Sequence, residues 1–130
     1  MSEKPQRQGE PKDVINDESI SIATTGGTIV VERSQVRWIE AKGDYTWLHT
    51  DKHNHLCRQP LASLEERWGE HGFVRIHKSY LVAFSLVTKL WKSHLGWLVT
   101  LGSGPTAVDL PVSRRKAQAV KQRWAQKPSP

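Results

Sequence analysis

The chain has 130 residues and a formal net charge of +6 at pH 7, enough for one domain with a modest hydrophobic core. No apolar run is long enough to cross a bilayer, and the single cysteine, Cys57, excludes an internal disulfide framework. These features favour a cytoplasmic protein that has no membrane partner.

The two ends of the chain are polar. Residues 1–18 are rich in Lys, Glu, Pro and Gln and contain no apolar block, so they predict a disordered leader and not a secretion signal. The folded domain is expected over residues 19–126. Residues 127–130, which include two prolines, are expected to form a flexible tail.

Strands are predicted through most of the domain, because β-branched and aromatic residues recur between turn residues. One hairpin is predicted around Gly26-Gly27 within residues 19–32, and another around Lys42-Gly43-Asp44 within residues 36–50. The remaining predicted strands cover residues 55–59, 73–76, 80–84, 86–91, 97–101 and 106–110.

Two helices are predicted among these strands. Leu61, Leu64 and Trp68 have helical spacing after Pro60, which predicts a short helix that ends at Gly69 or Gly72. Ser113 is a good N-cap for a second helix that runs to about Ala125. The predicted fold class is therefore mainly β, with one short internal helix and one basic C-terminal helix.

The basic excess is confined to the C-terminal helix. Acidic and basic residues cancel as far as Asp109, and no acidic residue follows. The excess is carried by Arg114, Arg115, Lys116, Lys121, Arg123 and Lys127. A cationic segment without carboxylates favours a polyanionic partner, either nucleic acid or an anionic membrane surface, although a solvated helix face has the same composition.

Motifs for catalysis and for cofactor binding are missing from the sequence. There is no GxGxxG or GxxxxGK[ST] loop to cradle a phosphate, and no GxSxG nucleophile elbow. The carboxylates of Glu65 and Glu66 occupy successive helix positions and face different ways, so they do not form a pair. The sequence predicts a protein that is not an enzyme and needs no cofactor.

Two other residue classes allow an alternative interpretation. His53, His55 and Cys57 share one face of a predicted strand, but a flat row of three ligands rarely supplies a tetrahedral zinc site, so no metal is expected. Trp97 follows a turn and is left unassigned. Core packing is expected for the other tryptophans, which are Trp38, Trp47, Trp68, Trp91 and Trp124. Tryptophans that were exposed would instead be able to stack on single-stranded bases.

Three polar segments rich in hydrogen-bond donors punctuate the apolar strands. They cover residues 42–45, 75–80 and 111–116. Loops held on a rigid scaffold are a common place for recognition groups. The sequence therefore offers three candidate binding loops.

Four stretches, in this order, resemble blocks of a known family. They are WIEAKGDYTWLHT from Trp38, CRQPLASLEERW from Cys57, FVRIHKSYLVAFSLVTKL from Phe73 and DLPVSRRKAQAVKQRW from Asp109. On these motifs, and above all on RIHKSY and LPVSRR, the chain resembles the LytTR DNA-binding domain of bacterial response regulators and related transcription factors. The resemblance covers roughly residues 26–124.

The chain departs from the family pattern in three ways. Ala83 stands where the family often has Asn, and Arg115-Lys116 stands where a large residue commonly follows the SR pair. The chain also has no room for the receiver domain that most members carry, which leaves the input signal unexplained.

The resemblance implies an elongated all-β fold of small antiparallel sheets that reaches duplex DNA with loops. Two loops would enter successive major grooves, and the region between them would follow the minor groove. Carried over by position, the readers would be the loop from Lys42 to Tyr45, which includes Asp44, together with Lys78 and Arg114. By analogy, repeated half-sites, a homodimer on DNA and an unidentified regulatory protein are expected.

The chemistry of the residues agrees with these roles. The guanidinium of Arg114 can grip guanine O6 and N7 together, and Lys78 suits a phosphate or a guanine edge. His77 either touches DNA or holds its loop as a neutral ring. Contacts to the DNA backbone are expected from Arg75, Arg115, Lys116 and Lys121.

The sequence therefore predicts a sequence-specific double-stranded DNA-binding transcription regulator. One alternative is a single-stranded nucleic-acid or RNA-binding β module that uses exposed tryptophans. The other is a protein-interaction or ligand-sensing module that uses the row from His53 to Cys57.

Overall fold

The computed structural model describes residues 13–127 and contains three antiparallel sheets and two α-helices. The strands are β1 (Val14–Ile15), β2 (Ser19–Thr24), β3 (Gly27–Glu32), β4 (Val36–Lys42), β5 (Tyr45–Thr50), β6 (Asn54–Cys57), β7 (Phe73–His77), β8 (Tyr80–Ala83), β9 (Val87–Ser93), β10 (Gly96–Leu101) and β11 (Val108–Pro111). The helices are α1 (Leu61–Trp68) and α2 (Arg114–Ala125). The prediction of a mainly β fold with a short internal helix and a C-terminal helix is confirmed.

The central sheet has five strands in the order β6-β5-β4-β8-β7. Two further sheets have three strands each, and each of them shares a hydrophobic core with the central sheet. One flanking sheet has the order β1-β2-β3 and the other β11-β10-β9. Because side chains alternate between the two faces of a strand, the central sheet contributes to two cores. Both cores combine residues of the central sheet with residues of a flanking sheet and a helix.

The first core lies between the central sheet, the sheet β1-β2-β3 and α1. Ile39 and Leu48 of the central sheet belong to it, together with Ile20, Leu64 and Trp68. All five side chains are fully buried. The i, i+3, i+7 spacing that predicts α1 thus reflects the stripe that faces this core.

The second core lies on the side of the sheet β11-β10-β9 and α2. Ile76 and Val82 of the central sheet belong to it, together with Val99, Leu101 and Val120. Val120 is the buried residue of α2, and the other positions of that helix are half-buried or exposed. Packing of one face therefore leaves most of the basic helix open to solvent.

The turn between β4 and β5 needs a glycine. Lys42 pairs with Tyr45, which leaves Gly43 and Asp44 as the two residues of the turn. Gly43 has φ of 61°, in the left-handed region that a residue with a Cβ atom rarely adopts. Asp44 is exposed beside it.

The structure corrects the predicted start of the domain. The segment 13–18, assigned to a disordered leader, belongs to the fold because β1 pairs with β2 and because Asp13 is buried. The carboxylate of Asp13 accepts hydrogen bonds from the backbone amides of Ala23 (3.0 Å) and Arg58 (2.8 Å). A segment anchored by one buried carboxylate has no apolar pattern to reveal it. Residues 1–12 lie outside the described residues.

The predicted flexible tail is corrected at its first residue. The Nζ atom of Lys127 donates to the backbone oxygens of Phe84 (3.2 Å) and Val87 (2.9 Å), so this ammonium is held against the domain. The remaining tail, residues 128–130, lies outside the described residues.

The tryptophans are less buried than the sequence predicts. Trp68 is fully buried, and Trp38 and Trp124 pack against the second core while still half-exposed to solvent, as does Trp97. The prediction of core packing is wrong for Trp47 and Trp91, which belong to neither core. Trp47 of β5 pairs with Leu56 of the edge strand β6, and Trp91 donates its indole N–H to Thr100 Oγ1 at 3.1 Å.

Candidate nucleic-acid interface

The turns β4–β5 and β7–β8 lie side by side. β4 pairs antiparallel with both β5 and β8, and Glu40 is opposite Tyr80 in that ladder. The amide of Ala41 donates to the carbonyl oxygen of Ser79 at 2.9 Å, one residue before Lys42. Two hairpin turns, one containing Gly43 and the other Lys78, therefore meet at one end of the central sheet, here called the turn end.

The start of α2 is joined to the same end. The amide of Ser113 donates to the carbonyl oxygen of Ile76 at 2.9 Å, and the amide of Val112 donates to that of Trp97 at 2.9 Å. Arg114 thus begins its helix beside the strand that leads into His77 and Lys78. The three loops that the sequence singles out are neighbours in space.

Four exposed cations stand at this end, here called the cationic cluster: Lys42, Lys78, Arg114 and Arg115. None of the four makes a side-chain hydrogen bond or ion pair with another residue of the range 13–127. Their charges are therefore not neutralised within the described part of the chain. Such an arrangement is suited to an external anion.

The first turn of α2 carries unfavourable electrostatics. Ser113 occupies the predicted N-cap position, but its side chain makes no capping hydrogen bond, and the first turn contains no acidic residue. Arg114, Arg115 and Lys116 instead place positive charge at the positive end of the helix dipole, where each opposes it by roughly 0.3–1 kcal/mol. An anion bound there would satisfy free amides and relieve this repulsion.

Arg75 differs from the cationic cluster, because its donors are used inside the protein. Its Nη1 forms an ion pair with Glu65 Oε1 at 2.7 Å, its Nε donates to the carbonyl oxygen of His77 at 2.8 Å, and its Nη2 donates to that of Lys78 at 2.6 Å. The structure thus places Arg75 as a brace beneath the β7–β8 turn, and not as the exposed backbone contact that the sequence suggests. The side chain of Arg75 is long enough to reach Glu65 of α1 and the carbonyl oxygens of its own turn, and these contacts occupy its donors.

His77 also holds this turn. Its Nδ1 accepts a hydrogen bond from the amide of Ser79 at 3.0 Å, so the proton of the neutral ring lies on Nε2. Burial, and then the charges of Lys78 and Arg75, lower the pKa of His77 below its ordinary value of 6.5. The sequence left two roles open for His77, contact with DNA or support of its loop as a neutral ring. The hydrogen bond from Ser79 favours support of the loop.

The β7 strand is irregular at the same place. The pairing of β7 with β8 shifts between Arg75 and His77, which leaves Ile76 without a partner in the ladder. Such a bulge re-aims the residue that follows it. The ring of His77 consequently packs against Tyr80, with centroids 5.4 Å apart.

The remaining residues predicted to bind DNA lie either in the β4–β5 turn or on α2. Asp44 and Tyr45 are exposed at the turn end, where Asp44 offers the one carboxylate of the β4–β5 turn. Lys116 and Lys121 are half-buried on α2, and the Nζ atom of Lys121 lies 4.9 Å above the ring of Trp97. Lys116 and Lys121 are thus less exposed than the cationic cluster, and the ammonium of Lys121 makes a cation–π contact with the indole ring.

The β9–β10 turn is not among the binding loops predicted from the sequence. Lys92 of β9 is exposed, and its Nζ atom lies 5.9 Å from the ring of Trp97. The indole of Trp97 is thus close to a lysine of β9 as well as to Lys121 of α2. A signal for this region exists in the sequence, since no Asp or Glu occurs between Glu70 and Asp109. The net charge of this stretch is therefore positive, from Arg75, Lys78, Lys89 and Lys92.

The row from His53 to Cys57 shows no ligand geometry. The rings of His53 and His55 meet edge to face at 5.9 Å, and burial raises the pKa of the Cys57 thiol. Within residues 13–127 there is no group of three or more His, Cys, Asp or Glu side chains placed to hold a metal ion. In the same range no helix is long and apolar enough to cross a membrane.

Comparison with known proteins identifies the domain. The sequence profile of the LytTr DNA-binding domain matches residues 26–125. The chain is 36% identical over 88 residues to the CO-responsive transcriptional regulator RcoM of Rhodospirillum rubrum, covering 67% of this chain and 36% of that protein. It is 32% identical over 103 residues to the positive alginate biosynthesis regulatory protein of Pseudomonas aeruginosa, covering 79% of this chain and 41% of that protein.

A solved structure shares the fold. A LytTr DNA-binding domain from Bacillus cereus superposes with a TM-score of 0.69 at 23% sequence identity, covering 81% of this chain and 94% of that one. The chain thus spans well under half of the two regulators but nearly all of the isolated domain. Its match to the family profile extends from the turn before β3 to the end of the last helix, and the chain therefore belongs to the LytTR family of DNA-binding domains, a family that is not enzymatic.

Proposed function

We propose that this chain is a sequence-specific double-stranded DNA-binding domain of a bacterial transcription regulator, and that its loops read successive major grooves. The observation that carries the proposal is the cationic cluster: exposed cations without partners among residues 13–127, from two hairpin turns and a helix start, meet at one end of the fold. The names of the two relatives, both regulators, support a role in transcription. A bacterial chromosome lies in the cytoplasm, so the proposal places the protein there.

The cluster divides the work between base edges and backbone. Arg114 emerges at the free end of α2 and presents its planar fork, which matches guanine O6 and N7 in the major groove. Lys42 and Tyr45 flank the other turn, where Asp44 can accept a hydrogen bond from cytosine N4. Lys78 lies between these two readers and follows the backbone or the groove between them.

The DNA backbone is contacted from the first turn of α2. Arg115 is exposed there, and the free amide groups of this turn add a site for one phosphate. Arg75 and His77 act on DNA through the β7–β8 turn that they hold. Two such domains on repeated half-sites, as a homodimer under control of a regulatory protein, complete the proposal.

In vitro selection from a random duplex pool, followed by fluorescence anisotropy at several salt concentrations, tests the function. We expect a short repeated motif and affinity for it that exceeds affinity for scrambled duplex by about a thousandfold or more. Equal affinity for all duplexes would refute sequence-specific reading. Preference for a single-stranded competitor would instead favour base stacking on Tyr45 and the half-buried tryptophans.

A further inference from the structure

The turn between β9 and β10 displays an apolar side chain. Leu95 is 86% exposed, more than any other large apolar residue of the range 13–127. Single exposed leucines are common on protein surfaces, so exposure alone has no meaning. The position of Leu95, its rigidity and its charged surroundings distinguish it from the others.

The turn is held in a fixed shape. The hydroxyl Oγ of Ser93 accepts a hydrogen bond from the amide of Leu95 at 3.0 Å and donates to the carbonyl oxygen of Gly96 at 3.1 Å. Gly96 has φ of 129°, which a residue with a Cβ atom rarely adopts. The side chain of Leu95 is therefore presented by an ordered turn, which lowers the entropy lost when it meets a partner.

The turn stands at the same end of the molecule as the cationic cluster. The hydrogen bond between Val112 and Trp97 places Trp97 beside the residues that lead into Arg114. Leu95 lies two residues further along the hairpin, about 7 Å beyond Trp97 at the usual rise of a strand. At the opposite end, Arg37 Nη2 donates to the carbonyl oxygen of Thr106 at 3.0 Å, so the flanking sheet runs alongside β4 in the same orientation.

The surroundings of Leu95 are positive. Lys92 is exposed on β9 where that strand enters the turn, and the segment between Glu70 and Asp109 contains no carboxylate. The Nζ atoms of Lys92 and Lys121 lie 5.9 and 4.9 Å from the ring of Trp97, which aligns two cations beside the turn. A polyanion fits this surface, and the surface continues that of the cationic cluster.

We propose that the β9–β10 turn is a third DNA-contacting element, in which Leu95 packs its apolar side chain against sugars and base edges of the duplex while Lys92 meets a phosphate. The proposal rests on the proposed function, since the occupant is the same duplex that the cationic cluster binds. Apolar side chains contact thymine methyl groups in the major groove and press between base steps in the minor groove. This contact adds affinity that salt does not screen.

Binding of Leu95→Ala to the selected duplex tests the proposal by fluorescence anisotropy over a range of salt concentrations. We expect a loss of about tenfold in affinity, because part of a buried leucine side chain is removed from the contact. The slope of log affinity against log salt stays unchanged, whereas Lys92→Ala lowers it by about one unit. Leu95→Met, which keeps the apolar volume, is expected to bind within about twofold of the wild type.

The matched control is Leu86→Ala. Leu86 is also an exposed leucine, but its carbonyl oxygen accepts from the amide of Gly102 at the opposite end of the fold, so its removal should leave DNA affinity unchanged. Arg114→Ala, measured in parallel, separates two failures. If Arg114→Ala weakens binding and Leu95→Ala does not, the proposed function stands and the third contact is refuted.

Two further results would overturn the inference. A wild-type protein that binds all duplexes alike removes the proposed function and the third contact together. A loss for Leu95→Ala that appears on paired half-sites but not on a single half-site would assign Leu95 to a contact between two copies of the chain, and not to DNA. Thermal melting of each variant confirms that the fold is intact, because a change at an exposed turn leaves stability within about 0.5 kcal/mol.

Discussion

The two ends of the central sheet use the same kind of side chain in different ways. At the end opposite the turns, Arg37 lies 3.6 Å from Asp51 and donates to a backbone carbonyl, and Lys127 donates to carbonyl oxygens around Phe84. At the turn end, the cationic cluster makes no such contact with residues 13–127. Internal partners make a cation part of the scaffold, whereas the cationic cluster stays available to a ligand.

This difference carries more information than net charge. The basic excess of the sequence lies after Asp109, but Lys127 of that segment serves the fold, while Lys42 and Lys78 from the charge-balanced part join the cationic cluster. A surface is built from cations that are far apart along the chain. Single substitutions separate the two classes of cation.

Removal of a base-reading guanidinium should give the largest loss. Arg114→Ala is expected to weaken binding to the selected duplex by about 1–3 kcal/mol and to relax preference at one base pair. Anisotropy on matched and single-substituted duplexes measures both. Arg123→Ala, near the other end of α2 and 5.7 Å from the ring of Phe84, is the control and should bind normally. Equal losses for both variants would mean that charge alone acts.

Removal of the brace should lower stability before it lowers affinity. Arg75→Ala eliminates one ion pair and two hydrogen bonds to the β7–β8 turn and is expected to reduce the free energy of unfolding by about 1–3 kcal/mol. Urea denaturation measures this change. Lys78→Ala, in the same turn but unpartnered within the described range, should remain within about 0.5 kcal/mol of the wild type. Unchanged stability of Arg75→Ala would contradict the bracing role.

Lys78→Ala should reveal a phosphate contact through salt. Loss of one neutralised phosphate lowers the slope of log affinity against log salt by about one unit. The comparison variant is Lys127→Ala, which removes the same charge from the opposite end and should leave the slope unchanged. If Lys78 reads a guanine edge instead, its variant will change sequence preference more than slope.

The smallest expected effect concerns His77 and pH. Folding lowers the pKa of His77, so the stability contributed by its neutral ring is complete above pH 6.5 and is lost as the pH falls through the lowered value. An NMR titration should show His77 gaining its proton below pH 6.5, together with a shift of the Ser79 amide that donates to it. His77→Gln should abolish that step in the Ser79 signal. A midpoint at or above 6.5 would contradict the lowered pKa of His77.

The sequence was sufficient for most of the fold, because the signals involved are local. Alternation, turn glycines and the spacing of Leu61, Leu64 and Trp68 predict strands and helices close to those observed. β1 escaped prediction because two residues and one buried carboxylate leave no periodic pattern. Trp47 and Trp91 were misplaced because an apolar pattern does not tell which part of a sheet another layer covers.

The candidate site was harder to predict, because it depends on partners that are distant in sequence. The three loops were found from their residues, and the hydrogen bonds of Ala41 and Ser113 bring them together. The bracing role of Arg75 depends on Glu65, and nothing in the spacing of the two residues reveals their ion pair. The β9–β10 turn was not among the predicted binding loops because its lysines are few, although the lack of carboxylates nearby in the sequence makes the segment basic.

The β4–β5 turn has unequal freedom to vary. A Cβ atom at Gly43 would meet no neighbour within 4 Å, so the backbone angle of 61°, and not crowding, disfavours other residues there. Asp44 beside it has a Cβ atom, and its side chain is exposed to solvent. A library that randomises the whole hairpin tip should therefore retain glycine, or asparagine as its nearest substitute, at the first position and tolerate diverse chemistry at the second. Substitution of Asp44 can therefore change the binding preference while Gly43 preserves the backbone curvature of the turn.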